Sequence, residues 1–513
     1  MPRYAAVDIG SNSTRVLVAE VLAGQAPIII ATDREVTRLG ESVFREGRIS
    51  REATVAALPI LARARELIAA SGVLAMRAVA TSAVRDASNQ LEFLQTATDT
   101  LGSHIELISG REEARLIHRG VTSQSGRIYK RALVIDIGGG SAELITSEEG
   151  HFVDAVSRPL GAVRLKQMFL GEDPPSPRAL RQLEDFVDEK IDSAVRRMGG
   201  KWERVIASSA TAAAVVCAVN GIVRAERDQA SGMSATIAQV RSLYKQLAQL
   251  DAAGRRKIPG IGPRRAEIIT AGTGTLLRIM ERFHASSVYY SSAGVREGIV
   301  TDLSDTGGDE PARLNSDQRR EVERAATRFG VGLRRARHMA EFANALFTAL
   351  QPLHRLTPSF GRVLEAACYF CDAGHYISDS VHHKHAYYIV SNLDFSGFAE
   401  RERHLIAALC RYHRKALPRE THPEFAKLSS DDKAALSWLI PVFRLADNLD
   451  LSPGQQIELT GCDVDDRRVN VRLRASHELD LTEWATARVS ELFSQRYGRT
   501  VAVHREDKRD SAG

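Results

Sequence analysis

Residues Leu133–Thr146 read LVIDIGGGSAELIT. An apolar run ends on Asp136, Gly138, Gly139, Gly140 and Ser141 follow, and Glu143 lies inside a second apolar run. This spacing predicts strand, tight turn, strand. Consecutive glycines can aim backbone N–H groups at an anion, because no Cβ blocks the approach or the φ > 0 conformations. Two carboxylates beside such a turn would repel a phosphate unless a cation lay between them. The simplest chemistry is a magnesium-bridged phosphate.

The pattern occurs once before, at Tyr4–Val18, YAAVDIGSNSTRVLV. Asp8 matches Asp136, Gly10 matches Gly138, Ser13 matches Ser141, and Arg15 falls where Glu143 falls. A repeat this far apart predicts a duplicated lobe whose two hairpin turns grip one ligand from opposite sides. The turn amides of Gly10, Ser11, Asn12 and Ser13 and of Gly138–Ser141, with Arg15, are candidates to hold phosphate. Asp8, Asp136 and Glu143 are candidates to hold magnesium, directly or through water.

These two segments resemble the phosphate-binding hairpins of the actin, heat-shock-chaperone and sugar-kinase superfamily. Within it the chain resembles the exopolyphosphatase/guanosine pentaphosphate phosphatase family, over roughly residues 3–303 and more loosely beyond. ISGREEARLI at Ile108–Ile117 and RYHRKALP at Arg411–Pro418 make the resemblance specific. It implies an α/β fold of two actin-like (ribonuclease H-like) lobes, an all-α His-Asp-like domain and a small C-terminal α/β module. The expected divisions are 1–130, 131–305, 316–452 and 453–513, with the polar stretch Thr306–Asn315 as linker. The implied activity is magnesium-dependent removal of terminal phosphate from inorganic polyphosphate or from guanosine pentaphosphate. A homodimer is implied as well.

Ser109 and Glu112 form an S-x-x-E capping box, so the Glu112 side chain is expected back at the helix start. Glu113 has no such duty. It lies about 100° further round the helix. If that helix end faces the cleft, Glu113 can take a proton from water, and the resemblance assigns the catalytic base to the same residue. Arg85 follows a strand in a polar segment; it reads as a solvated surface residue or a phosphate contact, and the resemblance favours contact. At Ser208, Ser209, Ala210 and Thr211 the family usually carries glycines, so ligand contact at this turn is in question.

The bulk properties fit this reading without requiring it. A chain of 513 residues exceeds one core. It is 44% hydrophobic and 26% charged, with net charge +5 and pI near 8.9, an excess compatible with a polyanionic ligand. No nucleic-acid motif is evident. Five scattered cysteines give no disulfide framework, which suits a reducing cytoplasm. No signal peptide is evident, and no apolar run approaches the ~18 residues of a membrane span.

Along the chain, strands are expected at YAAVD, TRVLVAEVL and PIIIAT, and a helix at Ser50–Ala70 with Ser50 as N-cap. A further helix starts at Ser176–Pro177 and runs to about Met198. Arg264 and Arg265 read equally as anion contacts or as a solvated helix start, and Arg296–Glu297 as a structural pair. From Ser316 the pattern is helical and resembles the His-Asp phosphohydrolase fold. There Cys371-Asp372 takes the place of the diagnostic pair, with Asp447 near the last ligand. A binuclear centre is therefore not expected. Arg411, His413, Arg414 and Lys415, with His382, Lys384 and His385, read as a basic channel or as a solvated helix face. Ile457–His504 alternates as a small α/β module, and EDKRDSAG reads as a frayed tail.

No Cys or His accompanies the hairpin motifs, so attack by water is expected rather than a phosphoenzyme. Both turns lead into strands, unlike a Rossmann or P-loop turn. A catalytically weak polyphosphate or nucleotide sensor is the competing reading.

Overall fold

The computed structural model describes residues 1–22, 24–307, 312–449, 457–475 and 480–506. It divides into two compact units, Met1–Asp309 and Glu310–Gly513. The frayed-tail reading falls almost wholly outside the described residues, as does part of the expected linker Thr306–Asn315.

The first unit is built on two sheets. Small and branched apolar residues make Arg3–Ile9 (β1) a central strand with consecutive buried positions, as expected of a strand covered on both faces. Thr14–Glu20 (β2), Ile28–Glu35 (β3), Ala75–Ala80 (β4) and Ile105–Leu107 (β5) complete a sheet of order β3-β2-β1-β4-β5. The second sheet comprises Arg131–Ile137 (β6), Ala142–Glu148 (β7), His151–Arg158 (β8), Arg204–Ser208 (β9), Ser234–Thr236 (β10) and Ser287–Tyr290 (β11). Its order is β10-β11-β9-β6-β7-β8.

Leaving out the edge strand β10, the two sheets share one topology. Strands β1-β2-β3 and β6-β7-β8 are antiparallel, while β4 and β9 add parallel to β1 and β6. Asp8 pairs with Arg15, and Asp136 pairs with Glu143, at equivalent register positions. The Gly10 amide donates to Ser13 O at 3.2 Å and the Gly138 amide to Ser141 O at 3.0 Å, so the two turns close alike.

Helices cover the sheets. Ser50 caps Arg51–Ser71, and Ser176 caps Pro177–Met198, each by accepting an amide from the third residue on. Two expected turns are instead helical. Residues after β4 form the short helix Ser82–Asp86, and the Ser209–Asn220 helix starts directly on β9. The helices Gly110–Gln124 and Val295–Asp305 cross at backbone contact. A Cβ on Gly298 would lie 1.9 Å from Leu116 O.

Ser109 Oγ accepts the Glu112 amide at 3.2 Å, but the other half of the expected box is replaced. The Glu112 carboxylate grips Arg115 at 2.9 Å and Arg77 at 3.2 Å. Arg115 also reaches Asp302 Oδ1 at 3.0 Å. This buried ion network ties the helix that carries Glu113 to its neighbour, because each charge needs its partner once water is excluded.

The second unit is helical from Ser316 to Leu449, followed by Ile457–Val464 (β12), Arg468–Ala475 (β13), the helix Asp480–Tyr497 and Thr500–Arg505 (β14). Its three-stranded sheet has order β12-β13-β14. Among the described residues, no helix is long and apolar enough to cross a membrane.

Candidate functional site

Both hairpin turns and Glu113 line one cavity of about 140 Å³ in the first unit. Asp8, Gly10, Ser11, Asn12, Ser13 and Arg15 come from the first sheet, and Asp136 and Gly138–Ser141 from the second.

The glycines serve a different purpose from the one their sequence suggests. None of Gly10, Gly138, Gly139 and Gly140 is in the left-handed region. Gly139 and Gly140 are needed because the turns touch. A Cβ on Gly139 would lie 3.1 Å from Ser11 Cβ, and one on Gly140 would lie 2.6 Å from Ser11 Oγ and Ser82 Oγ.

The turn carbonyls are occupied on the far side. Gly138 O accepts from the Ala162 amide at 3.0 Å, Gly139 O from Val163 at 2.9 Å, and Gly140 O from Arg164 Nε at 2.7 Å. In the first lobe, Ser11 O accepts from Gly40 at 2.7 Å and Asn12 O from Arg38 at 3.3 Å. A trans peptide points its N–H opposite its carbonyl. The amides of Asn12, Ser13, Gly139, Gly140 and Ser141 are thereby turned away from those helix starts, an arrangement suited to an anion.

Asp8, Glu113, Asp136 and Glu297 put four carboxylates in this wall, and Glu143 lies behind it. Burial pushes Asp8 up from its ordinary range, opposed by Arg15. Burial pushes Asp136 up to about 6, although Ser208 Oγ donates to it. Glu143 is pushed up to about 7 by burial and by Asp136, against the hydroxyl of Ser157 at 2.8 Å. Glu113 is raised well above the carboxylate range, by burial and then by the charge of Glu143, with Arg85 opposing. Glu113 Oε2 is buried with no hydrogen-bond partner. Hard oxygen donors under mutual repulsion are the donor set a divalent cation takes.

Two expected residues stand behind the wall rather than in it. Glu143 is 1% exposed and held by Ser157. Arg85 donates to Ile108 O at 2.6 Å, next to the cap of the Glu113 helix. Both act on Glu113 electrostatically, with opposite signs.

The wall also contains residues the sequence did not single out, among them Thr81, Arg227 and Tyr290. Arg227 lies on a short 3₁₀ helix, Arg224–Ala230, whose charged sequence reads as solvent-facing. Arg265 lines the cavity, as do Arg296 and Glu297. Glu297 Oε2 accepts the Gly294 amide at 2.8 Å, so the pair also has the structural duty expected of it. The serine turn is not withdrawn: Ser209 and Ala210 line the cavity. Ser209 adopts φ +80° where glycine would be unstrained, and its Oγ donates to Ile137 O at 2.9 Å.

A second cavity of about 360 Å³ shares Asn12, Ala210, Arg227 and Arg265 with the first. It adds Arg34, Arg224 and Arg264. Burial and neighbouring arginines pull Arg34 and Arg265 down to about 9. This is positive charge in want of an anion.

In the second unit the expected basic channel divides. Arg411, His382 and His413 are buried, and Arg411 Nε binds Glu424 at 2.8 Å; Lys384 and Lys415 are exposed. Apolar packing of the helix that ends at Tyr412 draws Arg411 and His413 inward, and His382 is buried at the start of the helix His382–Asn392. Cys371 is buried against Met339. Arg335 bridges Asp372 and Asp447, 2.6 Å from each, so a guanidinium joins the two carboxylates that resemble His-Asp ligands.

A family profile described as the Ppx/GppA phosphatase family matches residues 17–306, and one described as Ppx/GppA phosphatase, domain III, matches residues 318–486. The guanosine-5'-triphosphate,3'-diphosphate pyrophosphatase of Photobacterium profundum is 28% identical over 444 residues, covering 86% of this chain and 85% of that protein. The protein of the same name from Aeromonas hydrophila is 30% identical over 412 residues, covering 80% of each. Among solved structures, the PPX-GPPA enzyme of Aquifex aeolicus superposes with a TM-score of 0.52 at 25% identity, covering 59% of this chain and 99% of that one.

Proposed function

The chain belongs to the Ppx/GppA phosphatase family, with its actin-like α/β fold, and from that premise we propose that it is an exopolyphosphatase, removing terminal orthophosphate from linear inorganic polyphosphate with magnesium. What supports this reading is one observation: the cavity holding both turns and Glu113 adjoins the arginine-lined cavity, with Asn12, Ala210, Arg227 and Arg265 in both walls. A terminal phosphate in the first would lead its chain of charges into the second.

In this reading the turn amides and Arg15 hold the terminal phosphate. Asp8 and Asp136 hold magnesium, with Glu143 behind them acting through water; the ion would neutralise charge on the transferring group. Glu113 takes the proton from an attacking water. Its unpartnered oxygen suits that task, and burial with the charge of Glu143 raises its affinity for the proton it takes. Among the described residues the cavity wall offers no Cys or His, which favours water as the nucleophile. Arg85 keeps the Glu113 helix start in place and supplies opposing charge.

The second reading is hydrolysis of guanosine pentaphosphate, favoured by the names of the two relatives. The described wall of the larger cavity has no aromatic ring to stack a base and no carboxylate to accept from a guanine edge. That composition favours a plain polyanion. The proposal extends to the four-part division given above, a homodimer and a cytoplasmic location; the five cysteines are free, four of them buried.

The test is phosphate release by purified protein with magnesium, long-chain polyphosphate and guanosine pentaphosphate in competition. A higher kcat/KM for polyphosphate is expected. A tenfold preference for the nucleotide would transfer the proposal to the second reading, and release at the no-enzyme blank with binding retained would favour the sensor.

A further inference from the structure

The two cavities of the first unit meet at the residues they share, and only Arg227 and Arg265 among these carry charge. Asn12, also shared, belongs to the first turn. A terminal phosphate gripped by the turns therefore ends at this junction, and the next phosphate of a chain begins there. The bond to be broken lies between them.

Arg265 donates to Thr211 Oγ1 at 3.4 Å. Arg227 comes from the other side, half-buried on the 3₁₀ helix Arg224–Ala230. Among the described residues its side chain makes a single hydrogen bond, donated to the Tyr290 hydroxyl at 3.4 Å, and no ion pair. Most of its five N–H donors are thus open to a ligand. Burial, and then neighbouring charges with Arg227 among them, pull down Arg15 in the first cavity, Arg34 in the second and Arg265 in both. The Arg227 charge is therefore felt in each cavity.

Hydrolysis forms a bond from the water oxygen to the terminal phosphorus and breaks the bond from that phosphorus to its bridging oxygen. A water proton passes to Glu113. The electron pair of the broken bond stays on the bridging oxygen, which leaves with the penultimate phosphate. Negative charge grows on that oxygen, whereas the turns and Arg15 hold the phosphate being transferred. A donor aimed where charge develops speeds the reaction more than it tightens binding. A guanidinium can do this without losing its own proton.

We propose that Arg227 is a further catalytic residue, donating to the bridging oxygen as it leaves and to the phosphate that keeps it. This role rests on the hydrolase reading.

The test measures kcat and KM for phosphate release by the full chain with magnesium, on tripolyphosphate and on long-chain polyphosphate. Arg227→Ala should lower kcat about 10²–10³-fold on both, the loss typical of removing one transition-state donor, with KM within about threefold. Tripolyphosphate separates this role from that of Arg34 and Arg264, because its leaving phosphate still sits at the junction. Added guanidinium ion should restore the rate of Arg227→Ala by about tenfold or more, and Arg227→Lys, which keeps the charge but not the fork, should fall between. Melting should match wild type. A raised KM with kcat intact would make Arg227 a plain chain contact and overturn the proposal, as would a loss of kcat that guanidinium leaves unchanged. Wild-type release equalled by Arg227→Ala would overturn this role alone. No release by wild type from either substrate would overturn the hydrolase reading with it.

Discussion

Asp136 stands directly across neighbouring strands from Glu143, at the register position where the first lobe sets Asp8 against Arg15. One hairpin of the duplicated pair thus opposes like charges and the other opposes unlike ones. Like charges directly opposite destabilise a sheet. In the proposed reading the second hairpin is completed by a cation, and the first carries its own in Arg15.

This relationship sets a pH dependence. Asp136 and Glu143 hold protons up to about 6 and about 7, above the values of 3.8 and 4.5 expected without the fold. The folded chain binds these protons more tightly than the unfolded one. Their stabilisation is therefore full below the unfolded values and is lost as pH rises through 6 and 7. Melting of chelator-treated protein should show a stability loss over that window, reversed by magnesium. Calorimetry at pH 6 should show proton release on magnesium binding, falling toward zero by pH 8.5.

Glu143→Gln should separate stability from function. The amide removes the repulsion with Asp136 and can still accept from Ser157. Without metal at pH 8, the variant should melt higher, by on the order of 1–3 kcal/mol in stability. Its magnesium requirement should rise at least tenfold. Thermal melts and magnesium-dependent phosphate release measure the two effects.

Gly140→Ala tests the contact between the turns. The new methyl would lie 2.6 Å from Ser11 Oγ, Ser82 Oγ and Phe44. Overpacking of this kind costs about 1–3 kcal/mol. Activity should fall more than stability, because the displaced atoms belong to the proposed phosphate cradle. Denaturant unfolding beside kcat/KM decides this.

The arginine cavity predicts a chain-length effect. Arg34→Ala and Arg264→Ala should raise KM for long polyphosphate several-fold and flatten its salt dependence. Tripolyphosphate, too short to occupy the second cavity, should be nearly unaffected. Equal losses on both substrates would separate that cavity from substrate binding.

The hairpins were legible because their information is local. An apolar run, an acid, a glycine turn and a second run define strand–turn–strand wherever they occur, and their repetition implies the duplicated sheet. Ser50 and Ser176 were equally readable as caps. The role of Gly139 and Gly140 was not. Sequence suggests backbone freedom, whereas the requirement is room for Ser11 and Asn12 from more than 120 residues away. Arg227 was illegible for the same reason, since a charged helical turn reads as solvated until the fold turns it inward. Glu112 obeyed its local motif only in part, because two arginines outcompeted the helix start.

In the proposed reading Glu113 removes the proton from water while the turns hold phosphate. Glu113→Gln keeps the shape and removes the base. Single-turnover phosphate release from polyphosphate, measured beside equilibrium binding of the same substrate, tests this directly. Release should slow about 10²–10⁴-fold, with binding within about threefold of wild type. Undiminished release by Glu113→Gln would contradict it.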